Sequence, residues 1–327
     1  MGLALALALA LGTCSSNRWI SNRFGAFVIR DVTNDGYDDY VGWFVDFGAM
    51  IRTRLTVIDG RTGKYHFSCL GNSSRLASLH GSMLVVGADS YSNKQLQYGP
   101  EIGLYDLATG RVIRSHAVPV SVSSLCATDK EVVAQAGGQY LEINEGDGTI
   151  QALAAGPSEC VNPGVIEDTS LLPAVEASAW PPAVASLALA NVRSRAMPDG
   201  SFVWVGTATE NNRLTVARTL DGRVVWSRGL GKASASGTNY AAGNSVAWFV
   251  PYADAGAARV AALDAATGNS LWDTEIAQPA NSQAWQVCAM SAGTSIVGLA
   301  HSRNNPCDEL LLLDASSGRL AFRYKRD

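Results

Sequence analysis

The stretch "ARVAALDAATGNSLW", residues 258–272, decides the fold. Apolar residues run up to Asp264, a polar turn ends in Gly268, and a second apolar run closes on Trp272. That is the signature of a β-hairpin whose turn needs a glycine for its positive φ. The pattern recurs. Upstream are "RLTVIDGRTGKYHF" (54–67), "EIGLYDLATGRVIR" (101–114), "QYLEINEGDGTIQAL" (139–153) and "RLTVARTLDGRVVW" (213–226); downstream is "ELLLLDASSGRLAF" (309–322).

The turn glycines are Gly63, Gly110, Gly148, Gly222, Gly268 and Gly318. Further strand-like runs precede the hairpins: "SMLVVGADS" (82–90), "SFVWVGTATE" (201–210), "SVAWFVPYA" (245–253) and "TSIVGLAHS" (294–302). Four strands at a repeat of about 40–50 residues is the arithmetic of a propeller blade. The expected fold is therefore all-β, a β-propeller of about six four-stranded blades. Between Gly148 and Gly222 the spacing widens, and residues 156–186 carry prolines and no turn signature. A long inter-blade linker accounts for this; a degenerate seventh blade is the alternative. No helical periodicity is evident. The expected organisation is an N-terminal segment 1–16 and a single propeller domain 17–327. In the turns, Asp59, Asp106, Asp264 and Asp314 are placed to accept backbone N–H groups. Trp226 and Trp272 are placed to cover the gap between blades.

The copy at 262–272 resembles the tryptophan-docking repeat of quinoprotein-type (PQQ-like) propellers, with an Asp and a Thr-Gly turn ahead of the Trp. The resemblance spans about residues 50–327 and implies the fold rather than an activity. A quinoprotein dehydrogenase would call for a vicinal Cys-Cys pair and a fuller blade array, neither of which the sequence has, so no PQQ is expected.

Composition narrows the remaining classes. The chain has 327 residues, 47% hydrophobic and 17% charged, with a formal charge of −4. That describes a globular protein without the basic stripe that neutralises a nucleic-acid backbone. Arg213, Arg218, Arg223 and Arg228 are scattered over two strands and a turn. The apolar run Leu3–Leu11 is too short for a membrane span, which takes ~20 residues, and fits the core of an export signal. Cys14, after Leu11-Gly12-Thr13, resembles the acylated cysteine of a bacterial lipoprotein, although Thr13 is unusual there and no Lys or Arg precedes the run. The resemblance implies lipidation at Cys14 and a periplasmic or outer-membrane-associated location. Six cysteines are present: Cys14, Cys69, Cys126, Cys160, Cys288 and Cys307. No CxxC pair or His cluster marks a zinc site. In an exported chain Cys126–Cys160 and Cys288–Cys307 are the disulfide candidates, leaving Cys69 as a buried thiol.

One stretch carries candidate metal chemistry. In "DVTNDGYDDY" (31–40), Asp31, Thr33, Asp35 and Asp39 fall at positions 1, 3, 5 and 9, with Gly36 at 6 and the Tyr37 carbonyl at 7. This spacing wraps oxygen ligands around calcium, yet the Glu of an EF-hand is missing, Gly42 standing in its place. The stretch resembles the FG-GAP loop of integrin-type propellers, which implies a calcium clip between two strands of the first blade. The competing reading is an Asp-rich turn whose carboxylates cap backbone N–H groups.

No G-x-S-x-G, H-E-x-x-H or P-loop occurs. His301 is expected to end a strand as a solvent-exposed or core-edge histidine. Trp43, Tyr91, Tyr98, Trp180 and Tyr240 are loop aromatics that could form a binding face. The expected function is a non-enzymatic binding or scaffolding propeller of the cell envelope, monomeric, meeting an envelope protein or ligand through a propeller face. Its nearest analogy is the PQQ-like lipoprotein scaffold of outer-membrane barrel assembly. The alternative is a degenerate quinoprotein-like or hydrolytic enzyme using the central channel.

Overall fold

The computed structural model describes residues 14–15, 23–46, 52–71, 76–80, 83–88, 91–92, 97–98, 101–106, 112–118, 122–127, 132–144, 149–156, 175–176, 179–233, 241–254, 256–277, 286–302 and 309–325. The fold is all-β. Its strands form up-and-down antiparallel sheets, the blades of a β-propeller. Two compact units divide the chain, residues 1–167 and 168–327.

In the first unit, β2 (Arg23–Arg30), β3 (Asp39–Asp46), β4 (Arg52–Ile58) and β5 (Tyr65–Gly71) pair in sequence order. A two-residue strand, β1 (Cys14–Ser15), adds to the outer edge of β5. The next sheet holds β6 (Leu76–His80), β7 (Met83–Ala88), β10 (Glu101–Asp106) and β11 (Val112–Ala117). A small ribbon, β8 (Tyr91–Ser92) with β9 (Gln97–Tyr98), is inserted between its two middle strands. The third sheet comprises β12 (Val122–Ala127), β13 (Val132–Ala136), β14 (Gln139–Ile143) and β15 (Ile150–Leu153). Its core is shared with the sheet before it: Ile102 and Leu104 pack with Val122, Val132, Leu141 and Ile143.

In the second unit a one-turn helix, α1 (Pro182–Ala185), opens on a proline at its first turn, where a missing N–H costs nothing. It leads into β16 (Leu189–Ala196), β17 (Phe202–Ala208), β18 (Arg213–Leu220) and β19 (Arg223–Lys232). These join β20 (Ala242–Gly243), β21 (Ala247–Asp254), β22 (Ala257–Asp264) and β23 (Ser270–Ala277) through a single Lys232–Ala253 pairing. The last sheet is β24 (Gln286–Ala292), β25 (Ile296–Ser302), β26 (Glu309–Asp314) and β27 (Leu320–Lys325).

Burial follows position in the sheet. β25 is buried at every residue and β21 at its first six, because the middle strands are covered on both faces. Outer strands β19 and β27 alternate or stay exposed. One core is centred on Trp248, Val250 and Leu263, and another on Phe249, Leu299 and Leu311. Trp248 and Phe249 are neighbours in sequence, so the strand period of 2 sends them to opposite faces of one sheet, and each belongs to a different core.

Part of the expected linker 156–186 is folded. Val175 donates to the Val192 carbonyl at 3.1 Å, and Trp180 packs with Val184, Val192 and Trp204. Its segments 157–174 and 177–178 lie outside the described residues, as do most of residues 1–16.

Candidate functional site

The repeated turn is built by its aspartate. At Asp264 the side-chain Oδ1 accepts Ala266 N at 3.1 Å, Thr267 N at 2.7 Å and Thr267 Oγ1 at 2.8 Å, while Gly268 N donates to the Asp264 carbonyl at 2.9 Å. Asp314 does the same with Ser316 and Ser317, and Asp59 with Arg61 N and Thr62 N. The hydroxyl and amide of Thr267 hold the Asp264 carboxyl below its ordinary range. Asp106 ends β10, and its turn lies outside the described residues.

Each docking tryptophan sits on the turn of the following sheet. A Cβ at Gly268 would meet Trp226 at 2.5 Å, and one at Gly318 would meet the Trp272 ring. Trp272 Nε1 donates to the Ala315 carbonyl at 2.9 Å. These glycines therefore serve twice, with φ of +71° and +69° for the turn and bare Cα atoms for the indole. The turn at 221–222 departs from the pattern. Asp221 and Gly222 form a two-residue hairpin with φ of +50° and +73°, and no aspartate caps it. Arg218 does the joining instead: it pairs with Asp199, donates Nε to Ser201 Oγ at 3.0 Å, and gives Nη1 to the Ala265 and Ala266 carbonyls. No aromatic pattern pointed to Arg218.

The acidic loop is closed by its own backbone. Asp39, 1% exposed, accepts Val32 N at 3.1 Å, Thr33 N at 3.0 Å and Thr33 Oγ1 at 3.0 Å on Oδ2, and Gly60 N at 3.2 Å on Oδ1. Burial nonetheless pushes its pKa up against these donors. Asp31 Oδ2 accepts Gly36 N at 2.9 Å, and Asp35 Oδ1 accepts Tyr37 N at 2.8 Å. Arg61 supplies the local positive charge. Its Nε lies 3.6 Å from Asp35 Oδ2, Nη2 donates to the Asp35 carbonyl at 3.1 Å, and the guanidinium stands 5.7 Å from the Tyr37 ring centroid. Asp31 Oδ1 is buried without a hydrogen bond. Among the described residues no three His, Cys, Asp or Glu side chains gather closely enough to hold a metal ion. The loop's hydrogen bonds tie Thr33 to Asp39, Tyr37 to Asp35 and Gly36 to Asp31.

Two further ionic clusters lie in the second unit. His301, fully buried, sits 3.1 Å from Glu309 across β25 and β26. Arg323 and Lys325 approach the same carboxylate at 3.4 and 3.7 Å. Burial raises the Glu309 pKa, but the His301 hydrogen bond, followed by Arg323 and Lys325, outweighs it and holds the carboxyl below its ordinary range. Tyr252 donates its hydroxyl to Asp273, which Arg259 also pairs at 3.0 Å; burial, then Asp273, pushes the phenol up to about 12. His301 is a core residue with a carboxylate partner, a pairing its isolation in the sequence did not announce.

Trp180 turns inward, its Nε1 donating to the Val175 carbonyl at 3.2 Å. Tyr240 and the side chains of Trp43, Tyr91 and Tyr98 lie outside the described residues. The exposed apolar surface of the second unit combines one aromatic, Phe202, opposite Thr219 beside the 221–222 turn, with aliphatic residues. In the second unit Leu220, Val225, Val246, Leu271 and Leu320 all stand out to solvent, Val246 at 63% and Val225 at 52%. Every one lies at the end of its sheet that carries the hairpin turn: Leu220 and Val225 flank 221–222, Leu271 and Leu320 follow the 264–269 and 314–319 turns, and the Val246 carbonyl accepts Ala265 N. Cys288 is disulfide-bonded. Cys160 and Cys307 lie outside the described residues, and Cys126 is on β12.

The family described as outer membrane protein assembly factor BamB matches residues 43–248. No curated protein matches the chain. Among solved structures, Sqt1 of Saccharomyces cerevisiae is 10% identical, with 95% of this chain and 88% of that one covered and a TM-score of 0.40. BamB from Moraxella catarrhalis is 11% identical over 95% and 79%, TM-score 0.27. The dihydro-heme d1 dehydrogenase NirN is 14% identical over 96% and 66%, TM-score 0.33. With the matched segment covering more than half of its length, the chain belongs to the PQQ-like propeller family of outer membrane protein assembly factor BamB.

Proposed function

We propose that this protein is a non-enzymatic scaffold of the cell envelope that binds a protein of the outer-membrane assembly apparatus. The observation that carries the reading is the family match over residues 43–248. The apolar row at the turn-bearing ends of the sheets supports it, because aliphatic side chains held out to water at one end of consecutive sheets are suited to covering by a partner. The proposed unit is a single propeller over residues 17–327, six four-stranded blades, acting as a monomer toward its partner.

Affinity capture from envelope extracts tests this, with the folded chain and a Val246→Asp/Leu271→Asp variant as baits. Both side chains are exposed, so the variant keeps the fold. Enrichment of outer-membrane assembly proteins by the parent and its loss in the variant is the expected result. Equal recovery by both baits removes the row from the interface, and failure of the parent bait to enrich such proteins overturns the assembly reading.

A further inference from the structure

Strand β1 forms the outer edge of the first sheet, and its register with β5 sets Cys14 opposite Cys69 and Ser15 opposite Ser68. Residues directly opposed on antiparallel strands have Cα atoms about 4.5–5.5 Å apart. That interval falls inside the ~4.4–6.8 Å a disulfide spans. A two-residue strand has little pairing energy of its own, so a covalent tie at its first residue is the kind of feature that would keep it on the sheet.

Cysteine arithmetic points the same way. Six cysteines make an even set. If Cys14 is acylated, five remain and one stands alone. If Cys14 is joined to Cys69, the four left are those of the Cys126–Cys160 and Cys288–Cys307 candidates. Cys288 is already disulfide-bonded, which is the chemistry of an oxidising compartment.

We propose that Cys14 and Cys69 form a disulfide that clamps the N-terminal strand to the first sheet. Formation removes one hydrogen from each thiol. The two electrons pass by thiol–disulfide exchange to an oxidised disulfide donor, a small-molecule disulfide or a disulfide oxidoreductase, which leaves as two thiols. A sulfur committed to this bond is not available for a thioether to lipid, so the clamp and acylation at Cys14 exclude each other. The inference does not rest on the assembly reading, since it depends only on register and oxidation.

The test takes the full chain exported to an oxidising compartment, denatured with iodoacetamide before any reductant, then digested and mapped by mass spectrometry. The expected result is a Cys14 peptide linked to the Cys69 peptide, two hydrogens lighter than their sum and separated by reductant. In Cys69→Ser, Cys14 becomes open to alkylation. Carbamidomethyl groups on both residues of the unreduced parent overturn the proposal. So does a diacylglyceryl group on Cys14, or a link from Cys14 to any other cysteine.

Discussion

At the scale of single residues, the carboxylates divide into two electrostatic kinds. Asp39 is buried among backbone donors and its pKa is raised by that burial, whereas Glu309 and Asp314 are held low, against the opposing effect of burial, the first by its His301 partner with Arg323 and Lys325, the second by serine donors. The signs differ accordingly. A lowered folded pKa contributes stability above the unfolded value, about 4, and loses it as pH falls through the folded pKa. A raised pKa contributes most below about 4 and loses that contribution as pH rises through the folded value. Acid should therefore loosen the last sheet before the 31–39 loop. Hydrogen exchange at pH about 3 and about 6 should show amide protection falling first in β26 and β27. Glu309→Gln should flatten the acid limb of the stability curve.

The same loop shows where residue-level reading reaches its limit. Spacing marked Asp31, Asp35 and Asp39 as special, and they are, but spacing cannot say what satisfies a carboxylate. Gly60, 21 residues beyond Asp39, and the Arg61 guanidinium arrive only when β4 folds back on β3. Asp39→Ala should cost about 3 kcal/mol, since it strands buried donors that a charged acceptor had satisfied. A titration with millimolar calcium, read as the melting midpoint, tests whether Asp31, Thr33, Asp35, Tyr37 and Asp39 close on the ion, an unchanged midpoint leaving the loop a hydrogen-bonded turn. A rise with calcium would show that the carboxylates regroup around the ion.

At the scale of elements, the hairpin is the legible unit. Alternation, the turn aspartate and the glycine were all visible in "ALDAATGNSLW", because each is local. Trp226 and Trp272 were legible as covers, and their seats on Gly268 and Gly318 follow from the repeat itself. Less legible was the 213–226 hairpin, whose Gly222 looks like the others but belongs to a two-residue turn. Its cohesion comes from Arg218, which the sequence offers only as one more scattered arginine. Gly318→Ala should destabilise by more than the ~1 kcal/mol of a strained φ alone, because the new methyl meets the indole of Trp272. Trp272→Ala should cost about 3 kcal/mol, and the Gly318→Ala/Trp272→Ala pair less than the sum, the coupling a thermal-melt cycle measures.

At the scale of the whole molecule, the fold was written in the repeat, and the surface proposed to meet a partner was not. Loop aromatics pointed to a binding face, yet Trp180 is part of a core, and the exposed apolar row is Val and Leu with Phe202 on strands and turns. A single exposed leucine carries no signal in a sequence that is 47% hydrophobic; its meaning comes from lying at the same end of its sheet as Val246 does of the next. The central claim is that this surface holds a protein of the outer-membrane assembly apparatus. The most direct measurement is site-specific photocrosslinking in intact cells from residue 246 and residue 271, with a residue of the opposite sheet end as control. The account predicts adducts to an outer-membrane assembly component from both positions and none from the control. Adducts confined to the control, or no adduct to any such component, would contradict it.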